Sequence, residues 1–207
     1  WLLSAWKIDI AELPSFGDEI RVSTWATGFK GLRASRNFTV CRASDDAGAH
    51  PLVRADSSWF MFDANKGRPI RIPESESAPY VEDARNDSPL DLPPIQRVVR
   101  IEGEGQACAP ITVTGAHIDT NHHVNNAQYV SLALGVLEEG EASVPCALDV
   151  HYSHAAKLGD TIYPHIHREP LAEGNPSTLV TLAEGNPSPL VTLDDEAGSP
   201  YAIVRLS

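Results

Sequence analysis

Ile8-Asp-Ile10 running on to Gly17-Asp-Glu-Ile20, and Leu148-Asp-Val150 running on to Gly159-Asp-Thr-Ile162, decide the reading of the fold. Each is a strand of alternating apolar and polar residues, a turn at Gly-Asp, then a second strand. Two copies of one β-rich unit are therefore expected in the chain.

Around the first copy, Ile20 to Trp25, Arg36 to Cys41 and Leu52 to Phe62 also alternate, the last two joined by a turn at Asp45-Asp-Ala-Gly48. Residues 1–72 thus read as an N-terminal domain. Over 73–95, Pro73, Pro79, Pro89, Pro93 and Pro94 sit among Ser, Glu and Asp, the composition of an extended polar linker. Strand patterning resumes at Val98–Ile101 and Ile111–Val113, and 96–207 reads as a C-terminal domain. It contains a helix, ending near Glu139, before its strands. The first copy has no such helix after residue 1, and Met61 is the sole methionine. The expectation is that chain upstream of Trp1 carries the first copy's helix.

Bulk composition narrows the partners. The 207 residues are 42% hydrophobic and 21% charged, with no apolar run long enough to span a bilayer. The net charge of −12 argues against nucleic acid and anionic membranes. Cys41, Cys108 and Cys146 are scattered in no metal-like spacing, as expected of free thiols in the cytoplasm. A near-perfect tandem, Leu171-Ala-Glu-Gly-Asn-Pro-Ser-Thr-Leu-Val-Thr181 repeated as 182–192, is read as a duplication lengthening a hairpin.

Chemistry concentrates in Asp119-Thr-Asn-His-His-Val-Asn-Asn126. In an extended segment Asp119, Asn121 and His123 would project to one side. Asn125 or Asn126 can then cap a helix on which Val130, Leu132, Ala133, Val136 and Leu137 recur at helical spacing. Carboxylate, amide and imidazole thus meet the unpaired N–H groups of a helix start, a set able to activate water and hold an oxyanion. His123 suits a general base. Asn121 can hold the water or a carbonyl. Asp119 can orient the imidazole or Asn121, or itself attack an acyl group. The water route is the favoured reading. Tyr129 is read as a core residue. Among the histidines, His165 and His167 share a strand face, but their surroundings lack ligand spacing and no metal is expected.

The motif, followed by Tyr129, resembles the Asp-x-Asn-x-His-Val-Asn-Asn-x-x-Tyr signature of acyl-acyl carrier protein (acyl-ACP) thioesterases, plant and bacterial. Trp1-Leu-Leu-Ser-Ala-Trp-Lys-Ile-Asp-Ile10, Leu13-Pro-Ser-Phe-Gly-Asp18, Thr24-Trp25, Arg54-Ala-Asp-Ser-Ser-Trp59 and Arg71-Ile-Pro73 are similar to the family's first domain. The resemblance implies an α+β tandem hotdog fold, each antiparallel sheet wrapped round a helix, with the first copy's helix outside residues 1–207. It implies hydrolysis of fatty acyl-ACP and places Asp119, Asn121 and His123 on the family's catalytic positions. No cofactor is expected, and Asn125 and Asn126 are read from local chemistry as the oxyanion end of the helix. An acyl-CoA thioesterase and a non-catalytic acyl-binding module are the rival readings.

Plant members carry a Glu-Cys pair in the segment after the second helix; here that segment has Ala155 and Ala156 near the expected pair, and Cys146 lies too early to replace the cysteine. A cysteine nucleophile is therefore not expected. The fatty chain is expected in an apolar tunnel of the first domain, with Trp25, Trp59 and Phe60 as wall candidates. The acidic carrier protein calls for a basic patch, assigned to Lys30, Arg33 and Arg36, with Arg97 and Arg100 as an extension. Sequence leaves monomer and homodimer both open.

Overall fold

The computed structural model describes residues 1–45, 50–82, 88–101, 103–138, 146–168 and 188–207. The chain divides into two compact units, Trp1–Ile95 and Gln96–Ser207.

The first unit is an antiparallel sheet of β1 (Leu2–Ile10), β2 (Ile20–Lys30), β3 (Arg33–Arg42) and β4 (Val53–Asp63), ordered β2-β3-β4-β1. A short β5 (Arg68–Ile70) pairs with β4. The second unit holds β6 (Gln106–Ala107), β7 (Ile111–Thr112), helix α2 (Asn126–Gly135), β8 (Ala147–Tyr152), β9 (Thr161–Arg168), β10 (Pro189–Asp194) and β11 (Pro200–Leu206). Its strands run β8-β11-β10-β9-β6, with β7 on β9. Strands β8 to β11 therefore repeat the order of β1 to β4.

The turns behind the two Gly-Asp signatures match atom for atom. Gly17 and Gly159 take φ of 95° and 89°, a left-handed conformation that glycine adopts without a Cβ clash. Asp18 Oδ2 accepts the Ser15 N–H at 2.9 Å, and Asp160 Oδ2 accepts the Lys157 N–H at 2.8 Å. Glycine frees the backbone and the aspartate closes the loop in both copies.

The core of the second unit lies between its sheet and α2. Val150, Ile162, Val191, Leu193, Ala202 and Val204 are fully buried on strands, and Tyr129 and Ala133 are buried on the helix. In the first unit the only described helix is α1 (Glu74–Val81), which buries none of its residues.

Helix α1 corrects the extended linker expected over 73–95. Pro73, in an extended conformation, serves as its N-cap, and Glu74 and Glu76 in the first turn favour the helix dipole. The later part is also held in place, since the Leu90 N–H donates to Asn37 Oδ1 at 2.9 Å. Two other expectations change. Val98–Ile101 is not a strand; Val99 and Gln96 instead lie beside Asp149, His151, Ile203 and Arg205 on one face of β8 and β11. Helix α2 stops at Gly135 rather than near Glu139, because glycine in the last turn weakens helix propagation. Strand β10 begins at Pro189, inside the second copy of the tandem. Residues 171–187 of the tandem, like residues 46–48 of the Asp45–Gly48 turn, lie outside the described residues.

Candidate active site

The segment Asp119–His123 is a closed turn, not the extended strand expected. Ile118 and Val124 bridge antiparallel, the Asp119 N–H donates to the His123 carbonyl at 2.9 Å, and the His122 N–H donates to the Asp119 carbonyl at 3.0 Å. His122 closes the loop with φ of 61°, a conformation in which a residue with a Cβ is uncommon. Period-2 alternation therefore does not govern these side chains.

The acidic residue explains the turn. Asp119 Oδ1 accepts the Asn121 backbone N–H at 2.8 Å, and Asp119 Oδ2 accepts from the Asn121 carboxamide at 3.3 Å. An aspartate bonding the backbone two residues on competes with strand pairing and nucleates a turn. Of the roles open to Asp119, the geometry displays the bracing of Asn121. Asn121 is exposed, and Asp119 and His123 are half-buried.

Val124 leads from this turn into α2. Asn125 is the N-cap: its Oδ1 accepts the Ala127 N–H at 2.9 Å and its carbonyl accepts the Gln128 N–H at 2.9 Å. Two first-turn donors are thereby used. The Asn126 N–H, at the first helical position, has no partner within the helix.

The segment Ser153–Leu158 braces the site. Ala156 accepts the Val124 N–H on its carbonyl at 2.9 Å and donates its own N–H to the Tyr129 hydroxyl at 2.8 Å. The Tyr152 hydroxyl donates to the Asn126 carbonyl at 3.0 Å. Burial pushes the phenols of Tyr129 and Tyr152 above the ordinary tyrosine range. The sequence reading named Tyr129 as core but missed Tyr152; a polar-tipped aromatic two residues beyond Val150 was the only signal.

Ala156, near the expected Glu-Cys pair, is fully buried. Cys146 is exposed ahead of β8, Cys41 is buried in the first unit, and the Cys108 thiol is pushed up by burial. Two of the histidines, His117 and His165, have hydrogen-bond partners. The His117 Nδ1 accepts the Thr114 N–H at 3.1 Å. His165 Nδ1 lies 2.9 Å from Asp194 Oδ2, which also accepts the Thr192 hydroxyl at 2.8 Å.

The first unit carries an open groove of about 320 Å³ between its sheet and α1. Ala26, Phe29, Ala34, Phe38 and Trp59 line it, with Trp1 and Tyr80 at its margins. Of the expected wall residues only Trp59 takes part. Phe60 is its chain neighbour and Trp25 that of Ala26, so strand alternation turns both to the opposite face. The same alternation divides the expected basic patch. Lys30 and Arg33 are paired across the β2–β3 turn and exposed, whereas Arg36 lies on the groove face with its guanidinium 5.5 Å from the centre of the Tyr80 ring.

Both halves match known sequences. The acyl-ACP thioesterase N-terminal domain matches residues 1–80 and the acyl-ACP thioesterase C-terminal domain matches residues 103–190. A chloroplastic palmitoyl-acyl carrier protein thioesterase of Gossypium hirsutum is 29% identical, over 73% of this chain and 37% of its own length. The chloroplastic acyl-[acyl-carrier-protein] hydrolase FATB3 of Cuphea viscosissima is 25% identical, over 86% of this chain and 43% of its own. The chain thus spans less than half the length of these relatives. Among solved structures, an acyl-ACP thioesterase from Bacteroides thetaiotaomicron superposes with a TM-score of 0.75 at 20% identity, covering 100% of this chain and 75% of that one. The 12:0-ACP thioesterase from Umbellularia californica gives 0.76 at 16%, covering 100% and 74%. These likenesses agree with the α+β tandem hotdog. With the Asp119–Asn126 motif and both domain types in order, the chain belongs to the acyl-ACP thioesterase family.

Proposed function

We propose that this chain hydrolyses the thioester of fatty acyl-ACP, releasing a free fatty acid and the carrier protein in fatty acid biosynthesis. The observation that carries the reading is the turn in which Asp119 braces Asn121 beside His123, one residue before the bridge to a capped helix start.

A thioester is an activated acyl group, so the reaction needs a placed water, a base and an oxyanion site rather than a strong covalent nucleophile. His123 takes a proton from water as its oxygen attacks the carbonyl carbon. The Asn121 carboxamide and the Asn126 N–H meet the oxyanion. Collapse breaks the C–S bond, and the imidazolium returns its proton to the departing thiolate. Both Asp119 oxygens bond to Asn121, which supports a bracing role over direct attack. No cofactor enters this scheme.

The groove of the first unit suits a fatty acyl chain, since apolar residues dominate its wall. Lys30 and Arg33 are the exposed pair proposed to receive the acidic carrier. The described cysteines are free, which supports a reducing cytoplasm as the setting.

The test is turnover of a chain-length series of acyl-ACPs against matched acyl-CoAs by the full-length protein. Faster hydrolysis of carrier thioesters is expected; equal or faster turnover of acyl-CoAs would favour the CoA rival. A wild-type protein that binds acyl chains and hydrolyses neither would be a binding module.

A further inference from the structure

Tyr152 ends β8 and carries a hydroxyl that the hydrolytic scheme leaves unused. That hydroxyl donates to the Asn126 carbonyl at 3.0 Å, at the first position of α2. The Tyr152 ring lies 6.0 Å from that of Tyr129, tilted by 56°, a separation at which two aromatic rings pack and restrain one another. Tyr129 in turn accepts the Ala156 N–H at 2.8 Å. The helix and the stretch Tyr152–Ala156 thus each send a tyrosine to the backbone of the other.

The bonds around the Asp119–His123 turn fall into two sets. Those from Asp119 to the His123 carbonyl, from His122 to the Asp119 carbonyl, from Asn121 to the Asp119 carboxylate and from Asn125 to the His117 carbonyl close the loop on itself. They make it one body. Two others join its end to the β8 stretch: the Val124 N–H to the Ala156 carbonyl at 2.9 Å, and the Tyr152 hydroxyl to the Asn126 carbonyl. One such bond leaves a pivot. A second, two residues along the chain, removes it. Displacement of a reacting group by about 1 Å can cost about 10²-fold in rate, so the pivot matters to a base that directly precedes Val124. Burial holds the Tyr152 phenol well above the ordinary tyrosine range, and its hydroxyl stays a donor at neutral pH.

We propose that Tyr152 is a positioning residue for hydrolysis: its hydroxyl fixes the Val124–Asn126 junction against β8 and so holds His123 in reach of the attacking water. The role rests on the thioesterase reading. Tyr152 acts through that junction and not on the substrate.

The experiment is Tyr152→Phe in the full-length protein, assayed on acyl-ACP. Phenylalanine keeps the ring against Tyr129, and the Asn126 carbonyl keeps its bond from the next turn of the helix, so the variant is expected to fold. Tyr152→Met, flexible enough to fill the space of the ring, is the second variant without a donor. In either, kcat should fall at least about tenfold with KM within about twofold of the wild type. The pH–rate profile should keep its shape, because no proton of the reaction passes through the phenol. In the His123→Ala background, followed in single turnovers with enzyme in excess, the same substitution should change the remaining rate by less than about threefold. An unchanged kcat, a lost limb of the pH profile, or an equal loss in both backgrounds would overturn the proposal, the last because a merely structural role multiplies. Wild-type protein without turnover sinks the thioesterase reading and this role with it. An active wild type with an equally active Tyr152→Phe sinks the role alone.

Discussion

The hydroxyl of Tyr129, on the inner face of α2, takes a hydrogen bond from the backbone N–H of Ala156 at 2.8 Å. Helix α2 is thereby tied to the segment whose next bond, from Val124 to the Ala156 carbonyl, holds the end of the Asp119–His123 turn. Tyr129→Phe removes the acceptor and leaves a buried N–H unsatisfied. Denaturant unfolding should show a loss of about 1–3 kcal/mol. An unchanged midpoint would mean that this bond contributes nothing to stability.

Ala156 has no exposed surface. A thiol installed there by Ala156→Cys has no room, and overpacking should cost about 1–3 kcal/mol. Burial should also hold that thiol in its unreactive protonated form. Rates of iodoacetamide labelling under native conditions are expected to be far below those of the unfolded protein, with no gain in hydrolysis.

His123→Ala should lower kcat for acyl-ACP by about 10²–10⁴-fold, the range of a lost general base, with acyl binding retained. Asp119 offers a sharper comparison. As a brace for Asn121 it is partly replaced in Asp119→Asn, whose carbonyl can still accept the Asn121 N–H, and lost in Asp119→Ala. Steady-state kinetics should therefore rank asparagine above alanine. Equal inactivity of the two variants would favour a nucleophilic carboxylate instead.

His122 holds a left-handed φ of 61°. For a residue with a Cβ that conformation costs roughly 1–2 kcal/mol, and glycine avoids the cost. His122→Gly should leave stability unchanged or raise it by up to about 1 kcal/mol, whereas the β-branched His122→Val should lower it by at least about 1 kcal/mol. Both are read from thermal or urea midpoints.

Tyr201 is buried and its hydroxyl donates to Asp160 Oδ2 at 3.4 Å. Burial, with the Asp160 carboxylate beside it, pushes its phenol up to about 12. The unfolded chain releases this proton near the ordinary value of about 10, while the folded chain keeps it. Fewer protons are then bound by the unfolded state, so stability falls as pH rises from about 10 towards 12. Tyr201→Phe should flatten that part of the stability profile.

Sequence alone determined the two-copy plan, because Gly-Asp turns and period-2 alternation are local properties. A left-handed glycine, an aspartate closing its own loop and a pleated strand each need only near neighbours, and Gly17/Asp18 and Gly159/Asp160 show the same atoms meeting in both copies. The Asn125 cap was legible for the same reason. Tertiary structure decided what depends on distant partners or on competition between local forms. Asp119 could pair in a strand or close a turn, and bonds to Asn121 together with the Ile118–Val124 bridge chose the turn. Lys30, Arg33 and Arg36 look like one basic patch along the chain. The pleat sends Arg36 into the groove, where Tyr80 of α1 meets it. Ala156 looked like a mere absence of cysteine until folding made its backbone the link between α2 and the Asp119–His123 turn.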